Sequence, residues 1–134
     1  MLSEDRIRPA CARCVGAILA LALLVLPTIA AANIEQQREL FKSVYKAVER
    51  GNWSPVDGLS ASERALLERY VLWPDLRATW LRANLKSTPA AEIDAFMQQY
   101  GTLRPARELR YKQAMMLARD GDLAGFRNIY EQFY

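Results

Sequence analysis

Three arginines pose the first chemical question. Arg104, Arg107 and Arg110 recur every three residues, so on a helix they would lie along one side and could meet an anionic polymer. The competing reading is a solvated basic face. Trp53, Trp73 and Trp80 offer flat apolar surfaces of the kind that stack on sugar rings. They suit a core equally well, because Trp80 falls on an apolar helical stripe and Trp73 adjoins Pro74. A pair of carboxylates could hydrolyse a glycoside by acid–base catalysis. Glu63 and Glu68 stand five apart and Glu92 and Asp94 two apart, so neither pair faces one way on a helix.

Other chemistries are excluded by residue type. The chain has no His, and its two cysteines are Cys11 and Cys14, so residues 33–134 contain neither. The Ser/His and Cys/His nucleophile arrangements cannot form there. The commonest soft metal ligands are missing as well, so neither a metal nor a cofactor is expected. Gly51, Gly58, Gly101, Gly121 and Gly125 stand singly, and no phosphate-cradling loop appears. Asn52-Trp53-Ser54 matches a glycosylation acceptor, but Pro55 follows, and the segment reads as a turn.

The N-terminus reads in three parts. Arg6, Arg8 and Arg13 outnumber Glu4 and Asp5, then Cys14 to Leu26 is uninterrupted apolar or small sequence. Pro27 breaks the run, and Ala30, Ala31 and Ala32 follow. A basic start, a short apolar middle and an A-x-A exit make a secretory signal, cut near Ala32. As a helix the apolar run reaches about 20 Å at ~1.5 Å per residue, short of the about 30 Å of a bilayer core. The expectation is therefore a signal peptide over 1–32, a mature chain over 33–134, and no stable membrane insertion after cleavage. The Cys11/Cys14 pair, a C-x-x-C, would leave with the signal. Without Arg6, Arg8, Arg13, Glu4 and Asp5, a chain of 18 basic and 15 acidic residues keeps a net charge of +2. That charge is mild and interspersed, with no basic stripe for nucleic acid.

Elements that would position these residues are all helical. The spacing predicts helices over 34–50, 61–72, 74–84, 89–100, 105–119 and 123–134, and no strand. In the first, Phe41, Val44, Tyr45 and Val48 make one apolar stripe, Asn33 is placed to cap it and Gly51 to stop it. Ser60 and Glu63 form a capping box before Leu66, Leu67, Tyr70 and Val71. Pro74 separates the second helix from a third carrying Leu76, Trp80 and Leu81. Thr88 would cap a fourth, with Pro89 at its first position and Ile93, Phe96, Met97 and Tyr100 inward. Leu109, Met116 and Leu117 belong to the fifth core face, and Phe126, Ile129, Tyr130 and Phe133 to the sixth.

Short connections favour antiparallel helix pairs. There is also an internal echo. Ala47-Val48-Glu49-Arg50-Gly51-Asn52-Trp53 and Leu117-Ala118-Arg119-Asp120-Gly121-Asp122-Leu123 share one pattern, their glycines 70 residues apart. It tilts the expected fold from a closed bundle to helix pairs stacked as the start of an α-superhelix, or solenoid. The aromatic final helix, without a polar cap, adds the expectation that the polypeptide continues or needs a partner.

Two stretches resemble a known family. Tyr70-Val71-Leu72-Trp73-Pro74-Asp75-Leu76 is similar to a segment near the start of bacterial soluble lytic murein transglycosylases. Leu103-Arg104-Pro105-Ala106-Arg107-Glu108-Leu109, with Leu117 to Leu123, resembles their next helical hairpin. Glu35-Gln36-Gln37-Arg38 after a signal peptide fits in position. The resemblance implies a periplasmic protein acting on peptidoglycan. Such enzymes cleave the β-1,4 bond between N-acetylmuramic acid and N-acetylglucosamine, leaving a 1,6-anhydro end. Their helical domain curls into a U or ring, and a lysozyme-like domain further on carries the catalytic glutamate. No glutamate here matches that motif, so no catalytic residue is carried over. The chain is then expected to be scaffold and contact surface, with peptidoglycan and the remainder of the superhelix as partners. The rival expectation is a stand-alone periplasmic helical-repeat adaptor that binds protein or glycan without catalysis.

Overall fold

A computed structural model describes residues 33–133, and the signal-peptide assignment over 1–32 lies outside the described residues. The chain divides into Met1–Glu35 and Gln36–Tyr134, and the fold that follows is that of the second unit. Among the described residues every regular element is a helix. These are α1 (33–49 as described), α2 (Ser54–Asp57), α3 (Ala61–Glu68), α4 (Trp73–Ala83), α5 (Ala90–Tyr100), α6 (Arg104–Asp120) and α7 (Leu123–Phe133).

The internal echo is a structural repeat of one joint. At the end of α1, Gly51 has φ +84°, its N–H donates to Val48 and the Asn52 N–H donates to Ala47. At the end of α6, Gly121 has φ +82°, its N–H donates to Ala118 and the Asp122 N–H to Leu117. Both are Schellman ends, in which a left-handed residue turns the chain so that two orphan carbonyls are paired. The residue after each glycine then accepts from a backbone N–H of the next helix, Asp122 directly before α7 and Asn52 one residue further from α2, whose N-cap is Trp53. Asn52 Oδ1 accepts from Ser54 N at 3.0 Å, and Asp122 Oδ1 from Gly125 N at 2.9 Å.

Several boundaries differ from the sequence expectation, each for a local reason. Residue 33 is already helical, so the chain does not enter α1 at an Asn33 cap. Asn52-Trp53-Ser54 leads into the single helical turn α2, with Pro55 in its first turn. The Ser60–Glu63 capping box is formed reciprocally, but α3 stops at Glu68 rather than 72. Pro74 has no N–H, which would leave the Tyr70 carbonyl without its helical donor. The Trp73 N–H takes that carbonyl instead, at 2.9 Å, and the chain turns over 69–72. Val71, expected inward, is consequently 78% exposed. Thr88 does not cap α5; its hydroxyl donates back to the Asn84 carbonyl at 2.9 Å, closing α4.

Two cores lie in series. The first gathers Val44 and Val48 of α1, Val56 of α2, Leu67 of α3 and Leu76 of α4. The second gathers Ala78 and Leu81 of α4, Leu85 of the α4–α5 connection, Ile93 and Phe96 of α5, and Ala106 and Leu109 of α6. Helix α4 serves both, and Trp80 packs against each. Completely burying a Leu or Val is worth about 1.5–3 kcal/mol, so each cluster is a substantial but small core. Helix α6 packs chiefly against α4 and α7. On α7 no residue is buried, although Phe126 and Ile129 are half-buried against its neighbours.

Candidate functional site

The three arginines singled out by spacing are divided in the fold. Arg104 is exposed, and its Nε donates to Glu108 Oε1 at 2.8 Å, one turn along α6. Glu108 Oε2 also accepts from Arg82 Nη1 at 2.5 Å, so one carboxylate joins α4 and α6. The two guanidiniums, Arg104 foremost, hold the Glu108 carboxyl below the usual carboxylate range. Arg107 Nη1 donates to the Thr102 carbonyl at 3.1 Å. Arg110 is half-buried, with its guanidinium carbon 3.4 Å from the Phe133 ring centroid. The reason is angular: successive steps of three residues at about 100° each carry the side chains progressively round a helix.

A second cluster draws together residues far apart in sequence. The Trp53 ring lies 5.9 Å from that of Trp73 and 5.6 Å from that of Trp80. The Arg77 guanidinium sits 4.9 Å from the Trp53 centroid and 5.4 Å from that of Trp80. Its Nη2 donates to Glu92 Oε1 at 2.7 Å. The tryptophans are half-buried and packed against one another and the first core. The arrangement fixes the α2–α4–α5 junction by cation–π and edge-to-face contact.

The third arrangement has no signature in the linear sequence. Helices α5, α6 and α7 enclose a groove of about 880 Å³, within the ~300–1,000 Å³ of small-ligand sites. Gln98 and Gln99 of α5, Gln113 of α6, and Asn128 and Gln132 of α7 are among its lining residues. Met97, Leu117, Ile129 and Phe133 add apolar lining, and its charged members are one of each sign, Asp94 and Arg110. Of the three arginines singled out by spacing, only Arg110 reaches this groove. The amides were not legible beforehand because they sit on three helices, with only Asn128 and Gln132 one turn apart.

Among the described residues no group of three or more His, Cys, Asp or Glu side chains could hold a metal ion. Among them, too, no helix is long and apolar enough to cross a membrane. No family model, curated protein or solved structure matches the chain.

Proposed function

We propose that this chain is the N-terminal part of a periplasmic soluble lytic murein transglycosylase, exported by a signal peptide cut near Ala32. Residues 33–134 form the opening of its α-superhelix and serve as scaffold and contact surface for peptidoglycan. The observation that carries the reading is the pair of cores in series, sharing α4 as a common wall. A closed bundle gathers its helices around one core, whereas a solenoid adds one small core per layer. The repeated Schellman–Asx joint after α1 and α6 is the second mark of such a stack.

The family-like segments support the same reading by what they do in the fold. In Tyr70 to Leu76, Pro74 forces the α3–α4 corner and Leu76 enters the first core. In Leu103 to Leu109, Pro105, Ala106 and Leu109 are buried. Both segments therefore carry residues that a helical stack must keep in place. Catalysis belongs to a lysozyme-like domain further along the polypeptide, and the exposed Arg104 and Arg107 offer charge to the acidic glycan.

Reading the gene beyond codon 134 tests the proposal. A continuing frame with a lysozyme-like Glu-Ser motif is expected. A genuine stop shared by related strains would instead favour the stand-alone adaptor.

A further inference from the structure

We infer that the outer face of α6 rests on an anionic lipid surface, as a peripheral contact. Helix α6 (Arg104–Asp120) holds five basic residues against Glu108 and Asp120, a net charge of +3. Residues 33–134 together carry +2, so everything outside α6 sums to −1. The excess charge therefore lies on one helix. Arg104, Arg107, Lys112 and Arg119 are exposed, whereas Arg110 turns inward to Phe133. At about 100° per residue the four exposed cations share one sector of the helix, roughly 140° wide. Both acidic residues of α6 are already taken. Glu108 is shared by Arg104 and Arg82, and Asp120 accepts from Lys86 at 3.1 Å. Arg82 and Lys86 come from outside α6, so these ion pairs leave the face no less positive. Among the described residues Lys112 and Arg119 form no ion pair.

The uncharged part of the same sector separates the anionic occupants. Tyr111 is 60% and Met115 46% exposed, one turn apart in the middle of the four cations. A tyrosine ring with its hydroxyl is suited to the headgroup level of a bilayer. Lys and Arg stems lie along apolar surface while their charged ends reach lipid phosphates. Cations flanking an exposed apolar stripe on one helix make the pattern of interfacial contact. Shape points the same way. The face is a convex ridge roughly 22 Å long from Arg104 to Arg119, at 1.5 Å per residue. A fluid headgroup layer moulds itself to a ridge, whereas an acidic helix or extended peptide docks in a groove or on a strand edge. The α5–α6–α7 groove takes Arg110, Gln113 and Leu117 from the other side of α6, and a helical backbone offers no edge. With that other side packed on α4 and α7, the contact stays at headgroup level.

Vesicles of phosphatidylglycerol mixed with phosphatidylcholine are the probe, and vesicles of phosphatidylcholine alone are their comparison. The full chain is used, so whatever residues 1–32 add is common to every arm. It is expected to sediment more with the anionic vesicles than with the neutral ones, and the excess should shrink as salt rises. The double variant Lys112→Gln, Arg119→Gln is expected to partition about 25-fold more weakly. Each cation near an anionic surface is worth about 1 kcal/mol, or about fivefold. Acetylation of the parent chain by an N-hydroxysuccinimide ester, read by mass spectrometry, gives a second measure. Anionic vesicles are expected to slow it at Lys112 and leave it unchanged at Lys46, on the exposed side of α1. Equal sedimentation with both vesicles, undiminished partition of the double variant, or equal protection of the two lysines would each overturn the inference. So would protection of Lys112 by poly-L-glutamate and not by vesicles, which would assign the face to an acidic protein. The acetylation readout needs no variant, so a folding defect in the double variant leaves the test intact. Arg104 and Arg107, offered above to the glycan, are unchanged in that variant, so the peptidoglycan reading and this one can fail separately.

Discussion

The Asn84 carboxamide donates to the Gly51 carbonyl at 3.1 Å and to the Trp80 carbonyl at 3.0 Å. One side chain thus closes the C-terminal ends of α1 and α4, two helices distant in sequence. Asn84 Nδ2 would also be 3.1 Å from a Cβ added at Gly51, whose φ is +84°. Gly121 has nearly the same φ, +82°, but nothing lies within 4 Å of such a Cβ. The two glycines therefore separate backbone strain from crowding. Gly121→Ala is expected to cost about 1 kcal/mol, the penalty of a left-handed non-glycine residue. Gly51→Ala is expected to cost about 1–2 kcal/mol more, because it also displaces a shared hydrogen-bond donor. Urea unfolding of both variants checks this, and equal midpoints would refute the shared-cap account.

Arg77 is the hub of the tryptophan cluster, with Trp53, Trp80 and Glu92 all in contact. Its side chain is only 22% exposed, so the contacts are partly shielded from water. Arg77→Ala is expected to destabilise by about 1–3 kcal/mol, the range of a charge-assisted hydrogen bond. It should also change the near-ultraviolet circular dichroism, because the indole rings lose their common neighbour. Arg77→Lys keeps the charge but not the flat, forked guanidinium, so it should recover only part of both signals. Full recovery by lysine would show that charge alone matters at this position.

The carboxyl groups of Glu63 and Glu108 are both held below the usual range, Glu63 by the Ser60 hydroxyl and N–H, Glu108 by Arg104 and Arg82. A depressed folded-state value means that the ionised form is favoured by folding. Their contributions are therefore present above the unfolded value of about 4.3 and fade as the pH falls through the folded values. Glu108→Gln should lower the melting temperature at pH 7 and matter less at pH 3. Added salt at pH 7 should shrink the same difference, since the partners are partly exposed. A difference independent of pH would mean that shape, not charge, accounts for the loss.

How much of this was legible in advance depended on range. Gly51, Gly121 and the Ser60–Glu63 box act on neighbours within one turn, and the sequence marks them by residue type alone. The helical stripes through Val44, Val48, Leu76 and Leu81 were equally plain, because periodicity states the buried face directly. The corner at 69–72 was misplaced because the missing N–H of Pro74 is felt four residues upstream, at the Tyr70 carbonyl. Spacing alone places the arginine series on one side of α6, and the partners that divide it lie outside that pattern. Glu108, Thr102 and Phe133 draw Arg104, Arg107 and Arg110 to different neighbours. The carboxamide groove depends entirely on three helices meeting, and no local pattern announces it.

The Pro105-Ala106-Arg107 element carries much of the family resemblance, and the fold separates its residues by role. Pro105 stands in the first turn of α6, where its missing N–H costs nothing, and it is buried there. Ala106 is 0% exposed and belongs to the core that also holds Ala78, Leu81 and Leu109. Its small side chain lets α6 approach its neighbours closely, so added volume has no room. Ala106→Leu is expected to destabilise by about 1–3 kcal/mol through overpacking. In a unit of this size that lowers the melting temperature by roughly 4–8 °C per kcal/mol. Arg107 is exposed and donates a single hydrogen bond to the Thr102 carbonyl, so Arg107→Ala should cost about 0.5–1.5 kcal/mol. Retention on purified sacculi gives the complementary readout. Arg107→Ala combined with Arg104→Ala should weaken it, while Ala106→Leu, once folded in the cold, should not. If retention follows Ala106 instead, the buried half of the motif is not merely structural, and the exposed arginines are not the contact.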